Sequence, residues 1–272
     1  MKLYDRDYTV LTVEENEDWS NLDVKATLDV DGLPLMPKGV RRNNYRDLPK
    51  AVRHYKSLFP NNYLDICDLK QEDVLHSMID KFEQLLDDGT TGEREILNYI
   101  RDKKAYHIIA SILSSGYNFG HHSAYLFSEF QLGNSFVADY LIVGESSGGH
   151  EFIFIELENN KGTITRQDGE FGQVINKGLK QISDWKAWLE QNYMHLKETF
   201  DKVVHPRERL ADEFSRYDST RVHYVCVAGR RDNYKDNTYR NRRRMMLEQH
   251  IQVIHYDNLI DFARNTIGDS TY

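Results

Sequence analysis

One aspartate inside an otherwise apolar strand constrains this chain most. Asp139 sits in Phe136-Val137-Ala138-Asp139-Tyr140-Leu141-Ile142-Val143. Burying a carboxylate in such a run is costly unless it is paired or binds a cation. A Gly/Ser turn from Gly144 to Gly149 follows, short enough for a hairpin. The next apolar run, Phe152-Ile153-Phe154-Ile155-Glu156-Leu157-Glu158, ends in two glutamates. Strand alternation puts Ile153, Ile155 and Leu157 on a core face, with Phe152, Phe154, Glu156 and Glu158 on the other. On the earlier strand, Val137, Asp139, Leu141 and Val143 share a face. If Val143 pairs with Phe152, antiparallel counting brings Asp139 opposite Glu156. That pair offers two hard oxygen ligands of the kind Mg²⁺ uses. A helix with the polar stripe Lys177, Gln181, Asp184 and Trp188 comes next. Acids on adjacent strands beside a polar helix face make the frame of a metal-dependent phosphodiesterase site.

The rest of the chain supplies an α/β core with a mixed sheet. Glu93 to Leu113 has helical spacing, and an amphipathic helix runs from about Gly172 to Thr199 through Ile175, Leu179, Ile182, Trp185 and Leu189. Arg221 to Ala228 reads as a strand, Asn241 to Gln249 as a helix, Ile251 to Tyr256 as a strand and Asn258 to Asn265 as a closing helix. Upstream, Tyr8–Val13 and Val24–Val30 alternate weakly and read as short strands ending at Gly32-Leu33-Pro34. Arg46 to Leu86 is mostly helical, broken at Phe59-Pro60-Asn61-Asn62. Asp87-Asp88-Gly89-Thr90-Thr91-Gly92 is the best linker, which gives an N-terminal α+β region over 1–88 and a second unit over 89–272.

Charge is unevenly spread. The net charge of −8 argues against nucleic acid at first sight, yet Arg230 to Arg244 holds seven basic residues against two acids. That segment carries +5 and leaves −13 on the remainder. Arg230, Arg231, Arg242, Arg243 and Arg244 are thus the expected phosphate contacts, since a basic segment on an acidic body steers a nucleic-acid backbone to one face. A solvated helix face would look the same. No apolar run approaches a membrane span, and Cys67 and Cys226 form no metal-type pair, so a reduced, cytoplasmic location is expected.

Other motifs favour plainer readings. Gly144-Glu145-Ser146-Ser147-Gly148 matches a nucleophile elbow, but a strand rather than a helix follows it. His121-His122 lacks a further ligand at helical spacing, and Trp185 lies on the apolar stripe while Trp188 is more open. For Asp139 and Glu156 the plain alternative is a strand-end acid paired with a nearby lysine or arginine.

Together these pieces resemble the PD-(D/E)xK nuclease superfamily, and within it the Shedu family of bacterial anti-phage nucleases. The resemblance is carried by Gly92-Glu93-Arg94-Glu95-Ile96-Leu97-Asn98-Tyr99-Ile100, Glu129-Phe130-Gln131-Leu132-Gly133, Ala138-Asp139-Tyr140 and Ile155-Glu156-Leu157-Glu158. It continues through Gln181-Ile182-Ser183-Asp184-Trp185, Val225-Cys226-Val227-Ala228-Gly229-Arg230-Arg231 and His255-Tyr256-Asp257-Asn258-Leu259. It implies a restriction-endonuclease-like core whose mixed sheet is flanked by helices. It further implies a metal-dependent endonuclease acting on DNA, with Mg²⁺ or Mn²⁺ held by Asp139 and Glu156 and the Leu157 carbonyl as a third oxygen. Glu158, Gln181 and Lys177 complete the implied catalytic set, and Glu129 is matched to the family's helix- or loop-borne acid. The N-terminal region is expected to serve regulation, sensing or contacts in a homo-oligomer. One departure stands out: the superfamily has a lysine two residues after the second-strand acid, where this chain has Glu158. Lys161, Lys177 or Lys180 then has to reach the space between Asp139 and Glu156. Otherwise the site binds metal and cleaves slowly, or the chain is a catalytically inactive nucleic-acid-binding or scaffold protein on a degenerate nuclease fold.

Overall fold

The computed structural model describes residues 2–27, 48–269 and 271–272. In chain order the helices before the sheet are α1 (Val13–Thr27), α2 (Pro49–Tyr55), α3 (Glu72–Asp87), α4 (Glu93–Lys103) and α5 (Tyr106–Ala110). The strands β1 (Ser123–Leu132), β2 (Phe136–Ser146) and β3 (Gly149–Leu157) follow as a meander. Helices α6 (Gln173–Asn192) and α7 (Met194–Asp201) lead to β4 (Val222–Val227), α8 (Asp236–Gln249) to β5 (Ile251–Ile254), and α9 (Tyr256–Thr266) closes the order.

Among the described residues the sheet has five strands in the order β1-β2-β3-β4-β5. The pairs β1–β2 and β2–β3 are antiparallel, whereas β3–β4 and β4–β5 are parallel. Parallel neighbours need long crossovers, which α6 with α7 and then α8 supply. Both faces are covered, so the central strands are apolar on both sides. Ile142, Ile153, Ile155 and Val225 pack with Phe82, Ile100, Ile109 and Leu259 of α3, α4, α5 and α9. Leu141, Phe152, Phe154 and Tyr224 pack with Ile182, Trp185 and Leu189 of α6 and Phe200 of α7. Phe152 and Phe154 therefore lie in a second core layer rather than on an open face.

The hairpin has the expected register, with Val143 opposite Phe152 and Ser146 opposite Gly149. Only Ser147 and Gly148 turn the chain, and β3 begins at once at Gly149 (φ 99°), so the elbow geometry does not form. Strict alternation does not hold at Asp139. Ala138 and Leu141, three residues apart, share one core layer, as do Phe127 and Phe130 on β1. The slip falls at Glu129, whose φ of 49° is left-handed, and at Asp139 directly across from it. Asp139 thus leaves the face it would share with Leu141. Glu129 is an exposed strand residue, not a helix- or loop-borne acid.

The N-terminus differs from the sequence expectation. Tyr8–Thr12 forms no strand, and Val13–Thr27 is helical; Leu28–Val30 and the Gly32-Leu33-Pro34 stop lie outside the described residues. Arg53 of α2 docks this region, buried with Asp65 at 3.0 Å and flanked by the Tyr4 and Tyr8 rings at 4.2 and 4.4 Å. Phe82 and Leu86 of α3 share the main core with Ile96 and Ile100 of α4 across the Asp87–Gly92 connection. Among the described residues no helix is long and apolar enough to cross a membrane.

His107 of α5 is 5% exposed within this core. Burial pushes its pKa down to about 4, against a weaker opposing hydrogen bond to the Leu75 backbone. The unfolded chain takes up that proton near pH 6.5. The contribution is therefore complete above about pH 6.5 and is lost as pH falls towards 4. Thermal melts across that window should fall steeply for the native chain and less steeply for His107→Gln.

Candidate active site

The site forms where β3 outruns β2. The β2–β3 ladder stops at Tyr140 opposite Ile155, leaving the end of β3 without that neighbour. The Asp139 side chain takes over the role of the ladder: its Oδ2 accepts the Leu157 N–H at 2.7 Å. On its other side β3 stays paired, with Glu156 beside Cys226 and the Glu158 N–H donated to the Val227 carbonyl at 2.8 Å. The Tyr256 hydroxyl of α9 donates to the Glu158 carbonyl at 2.6 Å. The acids are thus fixed by two strands and by helices on both faces.

Helix α6 crosses above them at close range because of Gly178. A methyl group there would lie 2.7 Å from Cys226 Sγ and 3.0 Å from Glu158 Cγ. The residue before it, Lys177, reaches Glu158 Oε2 at 2.8 Å and Glu93 Oε2 at 3.0 Å. Glu93 is the first residue of α4, and sequence reasoning gave it no role. Its signal was slight, since acids are common in a first helical turn for their favourable interaction with the helix dipole. Of the three lysines considered, Lys161 donates to the Asp88 carbonyl and Lys180 pairs with Asp184 at 2.8 Å. Lys177 alone is brought to the carboxylates, although on Glu158 and Glu93 rather than between Asp139 and Glu156. Gln181 is half-buried one turn further along the same face of α6.

The electrostatics follow from burial. Glu156 and Glu158 are 3% and 1% exposed, and among the described residues Glu156 Oε2 and Glu158 Oε1 have no hydrogen-bond partner. Burial pushes the carboxyls of Glu156 and Asp139 well above the usual carboxylate range, and the neighbouring acids add to it. Glu158 is raised for the same first reason, against the pull of Lys177. Burial works against the Lys177 ammonium, but its bonds to Glu158 and Glu93 outweigh this and raise its pKa. Among the described residues, Lys177 is thus the cation that meets this group of four carboxylates, and it pairs with two of them. Among the described residues no three acids, histidines or cysteines stand together as a ready metal-binding group.

The basic segment is divided rather than continuous. Arg230 pairs with Asp257 at 2.9 Å and with Asp87, and Arg231 with Asp261, so these two tie the end of β4 to α3 and α9. Arg242 lies over the rings of Tyr234 and Tyr239 at 5.6 and 5.3 Å. Arg244 pairs with Glu248 at 3.2 Å, and Arg243 is exposed on α8. His121 and His122 are exposed and stacked edge to face, and Trp185 is fully buried.

A five-stranded mixed sheet, flanked by helices and carrying acids at the ends of its central strands, is a restriction-endonuclease-like core. The family model described as "Shedu protein SduA, C-terminal" matches residues 69–260, and the chain belongs to the Shedu family. No curated protein matches the chain at a significant level.

The approach of α6 gives a direct test. Gly178→Ala would gain about 1 kcal/mol of helix propensity but overpack Cys226 and Glu158, at a cost of about 1–3 kcal/mol. A lower melting temperature is expected, and an unchanged or higher one would show that α6 yields freely.

Proposed function

We propose that this chain is a divalent-metal-dependent endonuclease that hydrolyses DNA phosphodiester bonds in bacterial anti-phage defence. The observation that carries the reading is the pair of buried, unpartnered carboxylate oxygens, Glu156 Oε2 and Glu158 Oε1, close to Asp139. Leaving such oxygens unmet costs roughly 1–3 kcal/mol each, and more when charged. The Lys177 ammonium answers only Glu158 and Glu93. A hard cation such as Mg²⁺ or Mn²⁺ fits an all-oxygen set of this kind. Asp139 and Glu156 would hold it, and bound there it supplies charge neutralisation at a phosphate and a water of lowered pKa.

The chain's own residues do the rest. Glu158 and Glu93 keep Lys177 charged and aimed, so that a fixed ammonium stands where negative charge develops on a phosphate. Gln181 presents an amide on the same helix face. Arg242, Arg243 and Arg244 of α8 guide the DNA backbone. Residues 1–88 serve regulation or contacts between copies in a homo-oligomer, and the chain acts in the cytoplasm. A second reading, a DNA-binding or scaffold protein that does not cleave, is favoured by one observation: Glu158 occupies the lysine position, and the lysine that reaches it is held by two carboxylates.

Purified protein incubated with linear and circular DNA, with and without Mg²⁺ or Mn²⁺, separates the two. Asp139→Asn should lower cleavage by about 10²-fold or more, yet keep the fold, because the amide oxygen still accepts the Leu157 N–H. Glu156→Gln should match it, and the double variant should be no worse, since the pair acts as one unit. Native-rate cleavage by either variant would disprove the assigned site. DNA binding without cleavage under every metal would leave the second reading.

Replacing Arg242, Arg243 and Arg244 together with glutamine should weaken DNA binding. The slope of log K against log salt should drop by about one for each arginine that touches phosphate. An unchanged slope would place α8 away from the DNA.

A further inference from the structure

Helix α6 carries a second feature on the face that holds Lys177. Lys177, Gln181, Asp184 and Trp188 recur at steps of four, three and four residues. They therefore fall within about 60° of one another around the helix, and Trp188 lies about 16 Å along the axis from Lys177. The Trp188 indole is half-buried, whereas Trp185 and Trp19 are buried. It rests on the β1–β2 turn: a methyl group at Gly133 (φ 59°) would lie 2.8 Å from Trp188 Cζ2. The edge of the ring thus packs closely on the Gly133 backbone.

Trp188 forms one wall of a pocket of about 320 Å³ bordered by Gln131, Asn134, Asn192, His195 and Lys202. Glu198 also borders it, 3.4 Å from His195 Nδ1. The volume is in the lower range for small-ligand sites. An aromatic face offers stacking that every base can accept, the amides offer both donors and acceptors to base edges, and Lys202 supplies a cation for phosphate.

We propose that the Trp188 pocket is a nucleobase subsite, taking an unpaired base of the strand whose backbone passes the carboxylate cluster. This rests on the nucleic-acid reading given above. The separation of about 16 Å corresponds to about five steps of a stacked strand at 3.4 Å per nucleotide, and fewer in an extended one. Stacking needs a free base face, so the subsite selects single-stranded or frayed ends of DNA over an intact duplex. It is tolerant of sequence for the same reason.

The test is a titration of the full chain, free of divalent metal, with single-stranded oligothymidylate, with duplex DNA of the same length and with thymidine monophosphate, read by tryptophan fluorescence. The oligothymidylate should quench the native protein. Trp188→Phe should keep its affinity but lose the quenching, because the other two tryptophans are buried. Trp188→Ala, checked for folding by its thermal melt, should bind roughly tenfold or more weakly. Oligothymidylate that fails to bind, or binds without quenching, would overturn the proposal, as would native-like affinity in Trp188→Ala. Equal quenching by the duplex, or equal affinity for the mononucleotide, would also overturn it. Quenching without metal-dependent cleavage would retain the subsite and reject the nuclease reading; cleavage without quenching would do the reverse.

Discussion

The hydrogen bond from the Leu157 N–H to Asp139 holds the sheet where it changes character. On one side of β3 the pairing is antiparallel and ends at Ile155; on the other it is parallel and continues to Leu157. Without a partner, the last N–H of β3 on the β2 side would be buried and unmet. A side-chain oxygen from the slipped position on β2 meets it. The carboxylate that completes the backbone ladder is thereby fixed next to Glu156. The same contact supports the strand and poses the acid.

Charge balance at the site is deliberate in a physical sense. Four acids around one ammonium would favour protonated carboxyls if nothing else approached, and burial drives Asp139, Glu156 and Glu158 in that direction. Lys177 relieves only part of this, because two of the acids share it. Gly178 allows the relief at all, since a larger residue would lift the helix from Glu158. The cluster is held together by packing and remains electrostatically unsatisfied, which costs stability and leaves an affinity for positive charge.

Much of this was legible in the sequence. The Ser/Gly turn set the β2–β3 register, and the three- and four-residue spacing placed Lys177 and Gln181 on one stripe of α6. The order of the later strands and helices followed from periodicity. Strand β1 was missed, because the slip at Glu129 breaks the alternation by which a strand is recognised. The same slip moved Asp139 off the face that strict alternation assigns. Helix α1 was missed because its apolar residues are few and its first turn is acidic, so no clear stripe emerges. Glu93 was missed since only the tertiary fold brings the start of α4 beneath α6. The pairing of Arg230 and Arg231 with distant aspartates is likewise invisible to local charge counting.

The hydroxyl of Tyr256 on the Glu158 carbonyl has a consequence for biosynthesis. The meander β1–β3 is local and can form as soon as it leaves the ribosome, whereas β4 and β5 wait for their long crossovers. Tyr256 begins α9, which follows both crossovers. A chain synthesised only as far as β5 therefore holds every acid of the cluster while the Glu158 carbonyl still lacks this hydrogen bond. The acids of the cluster are thus made well before the helix that fixes the end of their strand.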